Sequence, residues 1–218
     1  DLVKDSLYLS KFDGLAACGG FSYGDVLGAG GGWAKAILFD DELRRAFEDF
    51  FSKQAPVLGV CNGCQMLSQL KEIIPGAENW PSFERNNSGQ FESRTVMVKV
   101  SENSSPWLEG LSGCVVPVAV AHGEGRVESR GLIAAVDMDS HVAMRYVGPS
   151  DEATEDYPYN PNGSPGGIAA ITAASGSMLA MMPHPERTFR SSQLIVSDPG
   201  WKGDSPWMQF FRNARRFI

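Results

Sequence analysis

A chain of 218 residues fits one large domain, and a hydrophobic fraction of 43% supplies a sizeable core, which excludes a disordered chain. The formal net charge of −7 argues against non-specific nucleic-acid binding, which needs a basic surface. No long uncharged apolar run or basic–apolar leader supports a membrane span or secretion, and four cysteines at irregular spacing fit a reduced, cytoplasmic protein. The sequence begins at Asp1 and enters patterned sequence almost at once, as a piece of a longer polypeptide would.

Tyr8 to Phe12 leads into the turn signal Asp13-Gly14. Leu15-Ala16-Ala17-Cys18 is a short apolar run expected to be a buried strand. Gly19 and Gly20 follow it directly, so the backbone there can approach a ligand closely. The glycines at 28 and 30–32 lie too far past the strand for a dinucleotide fingerprint and are expected to form a surface turn before a helix over 33–39. Asp40 is placed to cap the next helix, with Leu43, Ala46, Phe47, Phe50 and Phe51 on its apolar face and Arg44, Arg45, Glu48 and Asp49 in solvent.

The stretch from Ala55 to Leu70 carries the clearest chemical signal. An apolar run, Val57 to Val60, stops at Cys61, and Met66, Leu67, Leu70, Ile73 and Ile74 then recur at helix spacing. Cys61 is therefore expected at a sharp strand-to-helix turn, flanked by Gly59 and Gly63, in the manner of a nucleophile elbow with cysteine in place of serine. Helix N–H groups and the positive end of the helix dipole would favour a thiolate there. Cys64 opens a rival redox reading, Cys-x-x-Cys at a helix start. Zinc is disfavoured because Cys18 and Cys114 stand alone, and Cys18, Cys64 and Cys114 are read as buried small apolar residues.

Residues 75–92 form a polar segment expected to be a long ordered loop. Strands are expected over 94–100, 114–120, 132–136 and 142–147, with Pro117 marking an edge or bulge. The second of these empties into His122-Gly123-Glu124-Gly125-Arg126, a turn read as a candidate backbone contact; His141, on an apolar segment, is read as structural. Residues 148–167 are an ordered, proline-containing loop. Residues 168–172 and 178–182 flank Ser175-Gly176 as a hairpin that delivers His184-Pro185-Glu186. Pro185 keeps His184 extended, which would place His184 and Glu186 on one face, where the acid can fix the ring tautomer. Ser205-Pro206 starts a last helix, with Trp207, Phe210, Phe211, Ala214 and Phe217 as its buried stripe. Short apolar strands alternating with helices give an α/β class with a mostly parallel central sheet.

Gly59-Val60-Cys61-Asn62-Gly63-Cys64-Gln65 resembles the Gly-x-Cys-x-Gly-x-Gln elbow of class I (triad) glutamine amidotransferases, and His184-Pro185-Glu186 resembles their His-x-Glu. The segments 18–25, 122–126, 160–165 and 181–187 follow the same order as in the glutaminase domains of the phosphoribosylformylglycinamidine synthases, and 205–208 with 212–215 resemble the C-terminal end of the large single-chain type. Two departures accompany this resemblance. Most of the strand, helix and strand that open the family's domain before the Asp13 region are not present, and Gly31 stands where an acidic residue is expected.

The resemblance implies a flavodoxin-like α/β fold and a single glutaminase domain over 1–218, truncated at its start, with the synthase domains elsewhere on the same polypeptide. It implies Cys61 as nucleophile, His184 as acid and base, and Glu186 as its orienter. Backbone N–H groups of Gly20 and Asn62 would form the oxyanion hole, and Gln65, Gly19, His122 and Gly123 would line the glutamine site. Neither a metal nor a cofactor is implied for this segment; ATP and Mg would belong to the synthase part, which accepts ammonia. The loops at Asn86 and Asn160 are candidate contacts to it. Two other functions fit the same residues: a stand-alone cysteine hydrolase of γ-glutamyl or peptidase type, and a catalytically idle docking domain.

Overall fold

The computed structural model describes residues 2, 4–21, 28, 30–102, 105–128, 140–173, 176–195 and 198–217, without the side chains of 6, 7 and 217. Four helices are present among these: α1 (Gly31–Leu38), α2 (Asp41–Ser52), α3 (Asn62–Gln69) and α4 (Pro206–Phe217). The strands are β1 (Leu15–Ala17), β2 (Val57–Val60), β3 (Ser82–Glu84), β4 (Glu92–Val100), β5 (Val115–His122), β6 (Arg126–Glu128), β7 (Val142–Tyr146), β8 (Ile168–Thr172) and β9 (Met178–Met181). The strand expected over 132–136, residues 22–27 and Ser175 of the hairpin turn lie outside the described residues.

The α/β class holds, and the main sheet runs in the order β1-β2-β9-β8-β7-β4-β5. Its pairings are parallel on both sides of β2 and antiparallel from β9 to β5, so the sheet is mixed. The reason is local: a hairpin joins β8 to β9, and antiparallel strands need no long crossover. The polar stretch before β4 is not all loop, because β3 pairs antiparallel with β6 as a separate two-stranded ribbon.

Local sequence accounts for the helix ends. The Asp40 side chain accepts hydrogen bonds from the N–H groups of Glu42 and Leu43, and Leu43, Phe47, Phe50 and Phe51 are buried as expected. Ser205 Oγ accepts from the Trp207 N–H at the start of α4. Each buried indole N–H of Trp80, Trp107 and Trp207 finds a carbonyl, on Thr172, Ser177 and Pro117. The last bond lays α4 against β5 at the end of the sheet order, where Pro117 was expected at an edge. The glycine-rich turn lies only partly at the surface: Gly28 and Gly32 are exposed. Gly30 and Gly31 are buried, and a Cβ on Gly30 would lie 2.6 Å from the Met66 nitrogen of α3.

Candidate active site

Strand β2 is buried along its whole length, and its ladder extends to Cys61, whose N–H donates to Met181 O at 2.8 Å. There the chain turns. Cys61 has φ 52° and ψ −110°, and its carbonyl accepts the first helical bond of α3 from the Gln65 N–H at 3.0 Å. A non-glycine residue at positive φ costs on the order of 1–3 kcal/mol and persists only where its surroundings dictate it. Two glycines make that possible. A Cβ on Gly63 would stand 1.9 Å from Ala17 O, and one on Gly59 would stand 2.5 Å from Leu67 Cδ1 and 2.8 Å from Gly63 O. β1, β2 and α3 therefore cross too closely for any side chain at either position.

His184 arrives from β9. Its N–H donates to Ala119 O at 2.8 Å, which ties it to β5. Glu186 does not reach the ring from an extended chain, as the sequence suggested. Pro185 starts a single 3-10 turn, Pro185–Arg187, with the Arg187 N–H donating to His184 O, and this turn folds the carboxylate back onto the imidazole. His184 Nδ1 and Glu186 Oε1 are 2.7 Å apart. Gly19 packs beside both reacting groups: a Cβ there would lie 2.8 Å from His184 Cε1 and 3.2 Å from Cys61 Cβ.

Burial works to lower the His184 pKa, but the nearby Cys61 sulfur and the bonded Glu186 carboxylate outweigh it and raise the value to about 9. Burial works in the opposite sense on Glu186, and its bonded partner His184 prevails, holding the carboxyl below its ordinary range. No hydrogen-bond partner lies within range of His184 Nε2 among the described residues, and Cys61 Sγ leans toward Ala121 O at 3.7 Å. The thiol and ring are thus close enough to influence each other without being joined in this state. A thiol beside a base, itself held by a carboxylate, can carry out acyl transfer through a thioester.

The remaining expected residues divide into two groups. Asn62 is buried in the first turn of α3, and Gly20 lies exposed at φ 116° just past β1. Gln65 is buried and its Nε2 donates to the main-chain oxygen of Glu124, a close contact, so the side-chain donor is engaged by the 122–126 turn. Gly123 accepts from the Asn86 N–H through its carbonyl. His122 is buried within a polar network rather than lining open space. Asn162 Oδ1 accepts from the N–H and hydroxyl of Ser164, which fixes Nδ2 as the donor facing His122 Nε2 at 3.2 Å. The His122 proton must then sit on Nδ1. Burial first, and the nearby His184 second, push its pKa down to about 3, so this ring stays neutral at working pH.

Several residues of this network were not singled out as site residues from the sequence. Asn86 donates to His122 O and Gln90 O and accepts from the Gly125 N–H; Asn162 also donates to Gly125 O. Asn160 donates to Ser164 O. The asparagines at 86, 160 and 162 are buried and spent inside the fold, where they shape these loops from within. The signal for this was the density of asparagine around glycine, which favours side-chain-to-backbone bonding over exposure. Tyr146, fully buried, has its hydroxyl 3.4 Å from Asn162 Nδ2, and burial raises its pKa.

The cysteine expectations need one correction. Cys64 is fully buried, and burial raises its pKa, with Cys61 adding to the effect. Cys18 and Cys114 are exposed, not buried. Cys18 stands just past the end of β1, at one end of the strand order, and Cys114 sits in the turn before β5, at the other.

Comparison with known proteins bears on the family. Residues 1–218 match the CobB/CobQ-like glutamine amidotransferase domain. Among solved structures, PurLQS from Thermotoga maritima aligns over 100% of this chain and 93% of its own, with 23% identity and a TM-score of 0.67. The glutaminase domain of Trypanosoma brucei CTPS with bound acivicin aligns over 98% of this chain and 75% of its own, with 16% identity and a TM-score of 0.50. The likeness to both is a likeness of fold. The full-length domain match settles the family: this chain belongs to the CobB/CobQ-like glutamine amidotransferase domains.

Proposed function

We propose that this chain is the glutaminase part of a phosphoribosylformylglycinamidine synthase, with Cys61, His184 and Glu186 as its triad. The observation that carries the reading is Cys61, held at positive φ between a buried strand and a helix, beside an imidazole whose far nitrogen is bonded to Glu186 at 2.7 Å. The motif resemblance across the chain supports the synthase assignment.

In this reading Cys61 Sγ attacks the side-chain amide carbon of glutamine. The oxyanion is held by the N–H groups of Gly20 and Asn62, each such donor contributing about 3 kcal/mol in comparable sites. His184, cationic at neutral pH because its pKa is raised to about 9, donates its Nε2 proton to the departing nitrogen, and ammonia leaves. The neutral ring then takes a proton from water. The hydroxide attacks the γ-glutamyl thioester, glutamate departs and the thiolate–imidazolium pair is restored. Gln65 and the 122–126 turn shape the amino-acid end of the pocket. Ammonia passes to the synthase domains of the same polypeptide, where ATP and Mg activate formylglycinamide ribonucleotide for conversion to the amidine.

The division of labour provides the test, measured on the complete enzyme. Cys61→Ala abolishes product formation with glutamine, by at least about 10⁴-fold, and leaves product formation with ammonium salts largely intact. Equal loss with both nitrogen sources in a folded protein contradicts an amidotransferase role.

A further inference from the structure

Glu124 is the acid of the His122–Arg126 motif, and the mechanism above makes no use of its side chain. Its two ends touch different parts of the chain. The main-chain oxygen accepts from Gln65 Nε2, on α3. Both carboxylate oxygens accept from the Gly28 N–H, at 3.2 and 3.0 Å. The Gly28 carbonyl in turn accepts from the Gly31 N–H at 2.9 Å, closing the turn that leads into α1. The same turn rests on α3, since a Cβ on Gly30 would lie 2.6 Å from Met66 N and 2.9 Å from Gln65 Cβ. Three contacts therefore form a ring: α3 to Glu124, Glu124 to the Gly28 turn, and the turn back to α3.

Resting on the glutaminase reading, we propose that Glu124 is a positioning residue. By clasping the Gly28 turn, which itself rests on α3, it holds the 122–126 turn against Gln65 and so fixes the wall that shapes the amino-acid end of the glutamine pocket. The physical basis is that a carboxylate bonded to a backbone N–H is stronger than a neutral pair, so the charge itself matters. A fixed Gln65 matters because, in that reading, it grips the amino-acid end of glutamine, an interaction made alike in the ground and transition states, so its misplacement is read in KM rather than in kcat.

The test uses the complete protein as wild type, Glu124→Gln and Glu124→Ala. Hydrogen exchange is followed by mass spectrometry at the peptide containing Gly28, beside steady-state glutamine hydrolysis. Glu124→Ala is expected to speed exchange there at least about tenfold and to raise KM for glutamine about tenfold, with kcat within about threefold. Glu124→Gln keeps a carbonyl acceptor and is expected to fall between the two in both readouts. Unchanged exchange in Glu124→Ala overturns the clasp. Faster exchange with unchanged KM overturns its role in positioning. A wild-type protein that fails to hydrolyse glutamine defeats the glutaminase reading instead, and the exchange series still decides the clasp.

Discussion

Cys61 and His184 follow neighbouring strands, β2 and β9, yet they are held by different means. The cysteine is fixed by close backbone packing. β1, β2 and α3 cross at Gly59 and Gly63 with no room for a Cβ, and the turn at Cys61 is forced into positive φ. The histidine is fixed by hydrogen bonds: Ala119 of β5 holds its backbone, and Glu186, two residues on in the same turn, holds its ring. The nucleophile side should therefore be intolerant of added volume, and the base side sensitive to the loss of a polar partner.

Adding one methyl group on the nucleophile side gives the largest expected effect. Gly63→Ala would place a carbon 1.9 Å from the backbone oxygen of Ala17, and a backbone atom cannot rotate away as a side chain does. Overpacking ordinarily costs about 1–3 kcal/mol, and this case should lie above that range. A denaturant titration should show a loss of more than about 3 kcal/mol or no folded protein, and a near-normal midpoint would show that the crossing is not tight.

Removing charge on the base side should leave the fold standing and change the chemistry. Because the His184 value lies above its ordinary 6.5, the stabilisation from its pairing is fully present below about 6.5 and is lost as pH rises through about 9. Glu186, shifted down, contributes above its ordinary 4.5 and loses that contribution as pH falls through its lowered value. Glu186→Gln should therefore lower kcat by roughly 10²-fold, move the alkaline limb of the pH–rate profile from near 9 to lower pH, and lower the melting temperature more at neutral pH than above about pH 9, where the pairing no longer contributes. An alkaline limb that stays in place would show that Glu186 does not act through His184.

The same contrast explains what the sequence made legible. The elbow could be read because its signals are local: an apolar run, a glycine on each side of Cys61, and a helix period behind it. The α4 start at Ser205-Pro206 and the Asp40 cap were legible for the same reason. Pairing direction was less so, because β4, β5 and β7 meet through contacts far apart in the chain, and nothing at short range distinguishes them from strands of a parallel sheet. The ribbon of β3 with β6 was hidden within a polar stretch, since strands that are only half-buried show no apolar run. The exposure of Cys18 and Cys114 was missed because it depends on which strand lies at an edge. The asparagine network around His122 was missed because its partners, Asn86 and Asn162, come from separate loops.

Those two exposed thiols make selective labelling the most direct test of the central claim, that Cys61 is the nucleophile of a glutamine site. Cys18 and Cys114 are open to solvent, whereas Cys61 is only 8% exposed, so accessibility alone would favour the wrong residues. The native protein is treated with a glutamine analogue bearing an electrophilic carbon in place of the side-chain amide, and the labelled peptides are identified by mass spectrometry. The account expects about one equivalent on Cys61, suppressed by excess glutamine and slowed strongly in His184→Ala, with Cys18 and Cys114 unlabelled. Labelling of Cys18 or Cys114 to the same extent as Cys61, unaffected by glutamine, would contradict it.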